Sequence, residues 1–523
     1  MRTLPLVGLK AKSLRPKNPS RVYRVMGTGI NTEIGCHQNN AHNFRVSVFK
    51  RVLTVQRGGV DVETTPPSET FYRGRTEPFV KKLSQHSFEV EPVSRSKFLQ
   101  RYSGLRLARM ERALVDLERM ERDGTLDVAR EAKLRNFVKV EKLLRAKLDK
   151  APRNISPRSP IYNILVGCYI AHLEKILFRL LGDVCGFPVV FKGMNALVQG
   201  QVLRSHWEEF DEPVAIDLDA SRFDQHQHIP ALKVEHEQWV RMVPKGHREA
   251  LRELLKYQLH NRGSQDFPVE GVRIKYKVKG TRASGDMNTS SGNCFTMVML
   301  VASYCWSKGI KWRLANNGDD CVLIVEKRDQ HRISDLGTWF SEMGFTMESE
   351  GAVDEFERIV FCQTQPVWTP NGYVMVRQPH VALPKDVCSR CDLSRQEVFE
   401  AWANAMHMGG MSLAGNIPVY QQFYQCFPRS NTTVNQQELL ALVETGFYKL
   451  AGGMKAPLGP VHPRTRVSFM QAFGITPPEQ RALESHYSQI RFAWCEPELI
   501  HGGMVKGEGE TISTLTAPHA ERI

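Results

Sequence analysis

One short stretch limits the possible folds more than any other. Trp312-Arg-Leu-Ala runs into Asn316-Asn-Gly-Asp-Asp320 and then into Cys321-Val-Leu-Ile-Val325. Asn-Gly between two strand-like runs signals a hairpin. The expected hairpin carries Asp319 and Asp320 at its tip. Adjacent carboxylates repel, so a turn that serves only the fold gains little from them. A divalent cation removes that repulsion. Gly-Asp-Asp alone is a weak signal, and it gains weight only from a partner strand.

Such a partner is present. Val214-Ala-Ile-Asp-Leu-Asp219 alternates apolar and polar residues, as a half-buried strand does. Val214, Ile216 and Leu218 share one face, and Asp217 and Asp219 share the other. The run then breaks into Ala220-Ser-Arg-Phe-Asp224. A carboxylate that ends a strand is held rigidly at a sheet edge, although ordinary exposed strand ends look the same. Carboxylates on two separate strands are what a two-metal site requires, and oxygen ligands select Mg²⁺ or Mn²⁺. Two such ions about 4 Å apart would activate an attacking hydroxyl and stabilise a leaving phosphate.

Between the two strands lies Ser284-Gly-Asp-Met-Asn-Thr-Ser-Ser-Gly-Asn293, followed by a helical run from Cys294 to Trp306. Its hydroxyls, amides and free backbone N–H groups suit a sugar or a phosphate. Taken alone, the loop reads equally well as a capped helix start. Upstream, Phe137-Val-Lys-Val-Glu-Lys142 and Ala151-Pro-Arg-Asn-Ile-Ser-Pro-Arg158 are basic. Fixed cations on a proline-stiffened loop can neutralise a triphosphate. A solvated basic loop is the commoner reading of either segment by itself.

Charge and composition narrow the class. The 523 residues hold Lys+Arg 70 against Asp+Glu 56, a net charge of +14. The excess is local: residues 1–60 carry eleven basic side chains and one acid, Glu33, leaving +4 for the rest. This points to a polyanion partner or to a solvated terminus. A hydrophobic content of 41% with 25 Phe and 8 Trp excludes general disorder. No apolar run reaches membrane-spanning length. Ile161 to Phe191 is interrupted by His172, Glu174, Lys175 and Arg179, and Cys294 to Trp306 is too short. No apolar core follows the N-terminal charges, so a secretory signal is not expected. Eleven cysteines without a framework fit a reducing compartment. Cys388 and Cys391 form a CxxC with no second pair at zinc spacing, so no zinc site is expected there.

The pattern predicts an irregular segment over 1–95 and helix from Phe98 to Lys147, broken at Asp123-Gly124. It predicts helix again from Ser159 to Leu181. Short strands mixed with helices follow from Pro213 to Val376, and mainly helix after Leu393. Ser394…Glu397 and Thr476-Pro-Pro-Glu479 read as capping boxes. The tail after His501 reads as loose. This order suggests an α+β chain with a central mixed sheet and helical regions on either side, rather than alternating βαβ units.

Taken together, these residues resemble the RNA-dependent RNA polymerases of positive-strand RNA viruses, most closely the plant tombusvirus-like (Tombusviridae) replicases. The motifs that carry the resemblance are Asp219-Ala-Ser-Arg-Phe-Asp-Gln-His226, Ser284 to Asn293 and Asn317-Gly-Asp-Asp-Cys321. Ala151-Pro-Arg…Ser-Pro-Arg-Ser-Pro160 and Phe361-Cys-Gln-Thr-Gln-Pro366 add to them. Their order and spacing agree across about residues 137–380. Weaker similarity extends to Gly35–Asn40 and Ala472-Phe-Gly474.

The resemblance implies a right-hand polymerase of fingers, palm and thumb, with an antiparallel palm sheet and a helical thumb. Its expected divisions are a basic extension with fingertips (1–95), fingers (96–190 and 227–285), palm (191–226 and 286–378), and thumb with tail (379–523). It implies Asp219, Asp319 and Asp320 as catalytic ligands of two Mg²⁺ or Mn²⁺ ions. Asp224, Ser284, Thr289 and Asn293 fall on positions that choose ribonucleotides. Lys139, Arg153 and Arg158 fall on the motif that grips the triphosphate, and Phe361, Cys362 and Gln363 begin the turn near the priming strand. Where related polymerases often place a lysine as proton donor, Gly344 to Glu350 has none, so no general acid is assigned.

The implied partners are template and product RNA, ribonucleoside triphosphates and a separate membrane-anchored viral replication protein. The implied location is the host cytoplasm, at membrane-associated replication complexes reached through that partner. Two rivals remain. A non-enzymatic basic RNA-binding or assembly protein is disfavoured by carboxylates that would face a polyanion. A reverse transcriptase is disfavoured by Gly318 before the Asp pair and by polar Asp224.

Overall fold

The computed structural model describes residues 2–5, 20–57, 60–349, 351–429 and 450–505. Six strands frame the site: β1 (Pro213–Ala220), β2 (His260–Phe267), β3 (Val272–Lys279), β4 (Trp312–Asn317), β5 (Asp320–Glu326) and β6 (Met347–Ser349). Four of them form a central antiparallel sheet in the order β4-β5-β1-β6. The β2–β3 hairpin builds a second sheet, flanked by residues 2–5 on one side and, in parallel, by Leu134–Arg135 on the other.

The central sheet is buried on both faces. Val214, Ile216, Leu218, Leu323 and Val325 join a core with the helices Glu69–His86, Glu174–Cys185, Ile229–Arg241 and Thr289–Lys308. Ala215, Ala315, Val322 and Ile324 join a second core with Ala196–Trp207, Gln396–Ala414 and Tyr420–Gln425. The alternation in β1 therefore separates two interiors rather than an interior from water. Each fully buried Leu, Val or Phe contributes about 1.5–3 kcal/mol. These layers fix the strand register rigidly, because a one-residue slip would exchange the two cores.

Several elements differ from the sequence expectation. The described part of 1–95 is not irregular throughout: Glu69–His86 is a helix capped by Ser68, whose side chain accepts from Phe71 N. Gly74 and Pro78 hide its periodicity, yet Tyr72, Thr76, Phe79 and Leu83 line one buried face. The long expected helix ends at Arg122. Beyond Val128–Glu131, the chain forms two-residue strands at 134–135, 137–138 and 143–144, which pair with β2, 154–155 and 34–35. Distant pairing partners override local helix propensity there. The 159–181 expectation splits into Pro160–Ile170 and Glu174–Cys185.

Thr476 and Glu479 do form a capping box, whereas Ser394 and Glu397 do not. Ser394 Oγ donates to Asp392, Glu397 pairs with Arg395, and the helix starts at Gln396. Residues 502–505 are held against the body, and the rest of the tail expected to be loose, 506–523, lies outside the described residues. Glu498–His501 pairs with Arg21–Arg24, and Gly503 accepts from Gln38 N at 3.0 Å and from Asn43 Nδ2 at 2.9 Å. The chain near its two ends thus meets in one place. One cation of the basic N-terminal segment serves this packing: Arg24 pairs with Glu498 at 2.5 Å. Residues 6–19, with four of the eleven cations, lie outside the described residues. No helix among the described residues is long and apolar enough to cross a membrane.

Candidate active site

The β1–β5 register sets Asp219 directly opposite Asp320. Directly opposed residues point to the same face, with Cβ atoms about 4.5–5.5 Å apart. That face is the one whose other members, Ala215, Val322 and Ile324, are covered by the second core. The cover stops at the strand ends, and the carboxylates emerge there into a cleft. Asp217, on the same face, lies opposite Val322 and is half-buried, deeper than Asp219.

The hairpin turn is shifted by one residue from the Asn-Gly expectation. Asn317 pairs with Asp320, so Gly318 and Asp319 are the central turn residues. Gly318 has φ +91°, which only glycine adopts freely. The fully buried Asn316 side chain braces the turn, donating to Gly318 O at 2.8 Å and accepting from Gly318 N at 3.3 Å. Asp319 thus stands at the tip, while Asp320 opens strand β5.

Both acids reach solvent but sit low in the cleft. Restricted hydration raises the Asp319 carboxyl above its usual range, and neighbouring Asp219 adds to the rise. Burial, then Asp319, pushes Asp320 up to about 6. This donor set of hard carboxylate oxygens suits Mg²⁺ or Mn²⁺. Among the described residues, no three His, Cys, Asp or Glu side chains, these acids included, converge closely enough as they stand to hold a metal ion.

The turn after β1 carries the next acid. Arg222 takes a left-handed backbone (φ 51°), and Phe223–His226 forms one helical turn. The strain is held from outside: Arg222 donates to the carbonyls of Lys50 and Thr54, and Gln225 also donates to Thr54. Asn293 Nδ2 donates to Asp224 Oδ1 at 2.6 Å. Burial raises the Asp224 carboxyl, and the Asn293 bond and the Arg282 charge oppose the rise.

The helix expected from Cys294 begins at Thr289, so Thr289 and Asn293 lie on its first turns. Thr289 Oγ closes its own loop by donating to Ala283 O at 2.6 Å. Ser284 Oγ accepts from Ser156 N at 2.9 Å. Gly285 lets the two loops touch, since a Cβ there would lie 2.5 Å from Pro157 Cα.

Lys139 and Arg153 are brought together. Lys139 N donates to Arg153 O at 2.9 Å, and both side chains reach Glu141, at 3.1 and 3.5 Å. Arg51 joins them through Ala151 O at 2.8 Å, and burial with Arg153 and Arg222 nearby lowers its guanidinium to about 10. Arg51, Lys139, Arg153, Arg222, Asp224, Ser284 and Asp319 line one pocket of ≈ 220 Å³.

Arg158 does not belong to this group. It pairs with Asp286 in the interior and donates to Ala132 O at 2.5 Å and Asn261 Oδ1 at 2.7 Å. Its guanidinium faces the interior rather than the pocket in which it is expected to grip a phosphate. Sequence reasoning missed Arg51, Glu141 and Arg222. Arg222 lies inside the Asp219–His226 motif, whereas Arg51 comes from a distant segment and carries no signal beyond its charge.

Phe361 and Thr364 close a two-residue turn by mutual backbone bonds of 2.9 and 3.0 Å. Its central residues, Cys362 and Gln363, both have left-handed backbones at φ 52° and 60°. Asn317 Nδ2 lies 3.2 Å from Cys362 Sγ, and the thiol also meets Asp320. The Phe361 ring packs on Phe191 at 5.5 Å. This turn backs the acidic hairpin.

The family profile described as viral RNA dependent RNA polymerase matches residues 9–495. The RNA-directed RNA polymerase of tobacco necrosis virus (strain A) is 40% identical over 481 residues, covering 90% of this chain and 64% of that protein. The strain D polymerase is 38% identical over 482 residues, 90% of this chain and 65% of that one. The polymerase of tomato bushy stunt virus (strain Cherry) is 36% identical over 484 residues, 92% and 58%. The chain thus spans somewhat less than two-thirds of the length of these relatives.

Proposed function

The chain belongs to the viral RNA-dependent RNA polymerase family, and from that membership we propose that it copies a viral positive-strand RNA by joining ribonucleotides. The observation that carries the reading is the strand register that sets Asp219 opposite Asp320 with Asp319 at the adjoining tip. The central sheet with residues 191–226 and 286–378 serves as palm. Residues 96–190 and 227–285 serve as fingers, and 379–523 as thumb with tail. Residues 1–95 add an extension that reaches the fingers.

Each group has a task in this reading. Asp219, Asp319 and Asp320 would hold two Mg²⁺ or Mn²⁺ ions. Bound there, such ions supply the positive charge that activates a hydroxyl and stabilises a leaving pyrophosphate. Arg51, Lys139, Arg153 and Arg222 neutralise the triphosphate and fix its direction. Asp224 and Asn293 offer an acceptor and a donor to the ribose, which is how a protein separates RNA from DNA precursors. The Phe361–Gln363 turn supports the growing strand. Template and product RNA are the macromolecular partners, and a separate membrane-anchored viral protein would bring the chain to replication complexes in the host cytoplasm.

The decisive assay offers an RNA template, ribonucleotides and Mg²⁺ to the purified chain. Wild type should incorporate, and Asp319→Asn should fall to background while binding RNA nearly as well. RNA binding without incorporation by wild type would favour an RNA-binding or assembly role. Preference for deoxyribonucleotides would favour a reverse transcriptase.

A further inference from the structure

Resting on the polymerase reading, we infer that Arg282 fixes the charge and aim of Asp224 and is a positioning residue for ribose selection. Two backbone hydrogen bonds lay its segment along the turn that bears Asp224. Thr281 N donates to Gln227 O at 2.7 Å, and Arg282 N donates to Asp224 O at 2.8 Å. At Gly280 (φ +68°) a Cβ would sit 2.9 Å from Gln227 O, so the close approach depends on glycine.

The Arg282 guanidinium lies beneath the pocket that Asp224 also lines. Its Nη2 donates to Glu235, and both side chains are 1% exposed. Glu235 is amply bonded already, accepting from Trp239 Nε1 at 2.9 Å and from Asn288 Nδ2 at 2.7 Å. Arg282 Nε and Nη1 are buried without a partner among the described residues. Two guanidinium groups, Arg158 and Arg282, therefore face three carboxylates, Asp224, Glu235 and Asp286. Asp286 belongs to Arg158, and Glu235 is bonded on every side. Asp224 has one neutral donor, Asn293, and feels the charges of Asp319 and Asp286. The guanidinium face that Glu235 leaves unpaired, with its Nε and Nη1 donors, offsets that repulsion. It leaves Asp224 free to accept from a ribose hydroxyl rather than turn away or take up a proton. Had Arg282 only to neutralise Glu235, two of its buried donors would not be left over.

The test separates these roles. Single-nucleotide extension of an RNA primer–template is measured with a ribonucleotide and with its 2′-deoxy analogue, and the ratio of kcat/KM values is the readout. The pair replacement Arg282→Gln with Glu235→Gln removes the charge but leaves no orphaned carboxylate, so it should fold. Its discrimination should fall about tenfold or more, the effect of losing one charged interaction. Glu235→Gln alone keeps the Arg282 charge and should discriminate within about twofold of wild type, even where its melting temperature drops. Equal loss in both variants, or none in the pair replacement, overturns the role of Arg282 alone. A wild-type chain that extends with neither nucleotide overturns the polymerase reading, and this inference with it.

Discussion

Arg153 and Arg158 stand five residues apart on the same proline-rich loop and look alike in sequence. Their surroundings are opposite: the Arg153 side chain is 58% exposed, whereas Arg158 and its partner Asp286 are 1% and 2% exposed. The difference comes from what each meets. Arg153 faces Lys139, Arg51 and an open pocket, where the cations outnumber Glu141, Asp224 and Asp319 and leave a surplus for an anionic ligand. Arg158 turns inward to a carboxylate, a carbonyl and an amide that satisfy its fork of donors. Charge left unbalanced at a pocket serves a ligand, and charge balanced in the interior serves the fold.

The largest expected effect tests the buried side. Arg158→Ala leaves Asp286 in the interior without its cation, which costs about 3–5 kcal/mol. Arg153→Ala touches no such pair and should leave stability within about 0.5 kcal/mol. Urea unfolding of the two variants checks this. Equal destabilisation would erase the contrast.

The open side should respond in kinetics instead. Arg153→Ala removes a charge-assisted phosphate contact and should raise KM for ribonucleotides about tenfold. Glu141→Gln should act in the opposite direction, because Glu141 partly occupies both Lys139 and Arg153. A higher KM in Glu141→Gln would mean that this acid positions the cations rather than competing for them.

A third test asks whether the acidic cluster behaves as open charge. Asp320 titrates at about 6 in the folded chain, above the ordinary aspartate value near 3.9. A raised carboxyl favours the folded state while protonated and loses that advantage as pH rises through the folded value. Metal-free wild type should therefore lose melting temperature relative to Asp320→Asn as pH rises from about 4 to 7. Saturating Mg²⁺ or Mn²⁺ should close the gap. A gap independent of pH, or one that the cation leaves unchanged, would separate Asp320 from any ion site.

How much of this was legible in the sequence follows from range. Strand β1 and the acidic hairpin were readable because alternation and an Asn-Gly signal lie within a few residues. Even there the turn centre moved by one residue, since pairing of Asn317 with Asp320 is decided by the whole ladder. The helix Glu69–His86 was missed because Gly74 and Pro78 interrupt its local pattern while its partners lie far along the chain. The 128–147 segment reads as helix in the sequence because its strand partners, 34–35, 154–155 and β2, carry no local mark. Asp219, Asp319 and Asp320 could be grouped from motif order alone. Arg51 could not, because its place beside Arg153 depends on a contact spanning 100 residues.

The smallest expected effect repeats the contrast between Arg153 and Arg158 at two helix starts. Ser394…Glu397 and Thr476…Glu479 share one spacing, and only the second becomes a capping box. Thr476 N and Oγ both donate to Glu479 Oε2 at 2.7 Å, so threonine and glutamate secure each other at the helix start. Ser394 is drawn away by Asp392, two residues earlier, which accepts from both its N–H and its hydroxyl. Thr476→Ala should cost about 1 kcal/mol, and Ser394→Ala no more than a few tenths. Removing the competitor sharpens the comparison. In Asp392→Ala the Ser394 hydroxyl is released to cap the helix, so a following Ser394→Ala should cost more than it does in wild type. If Ser394→Ala costs the same in both backgrounds, competition by Asp392 is not what separates the two starts.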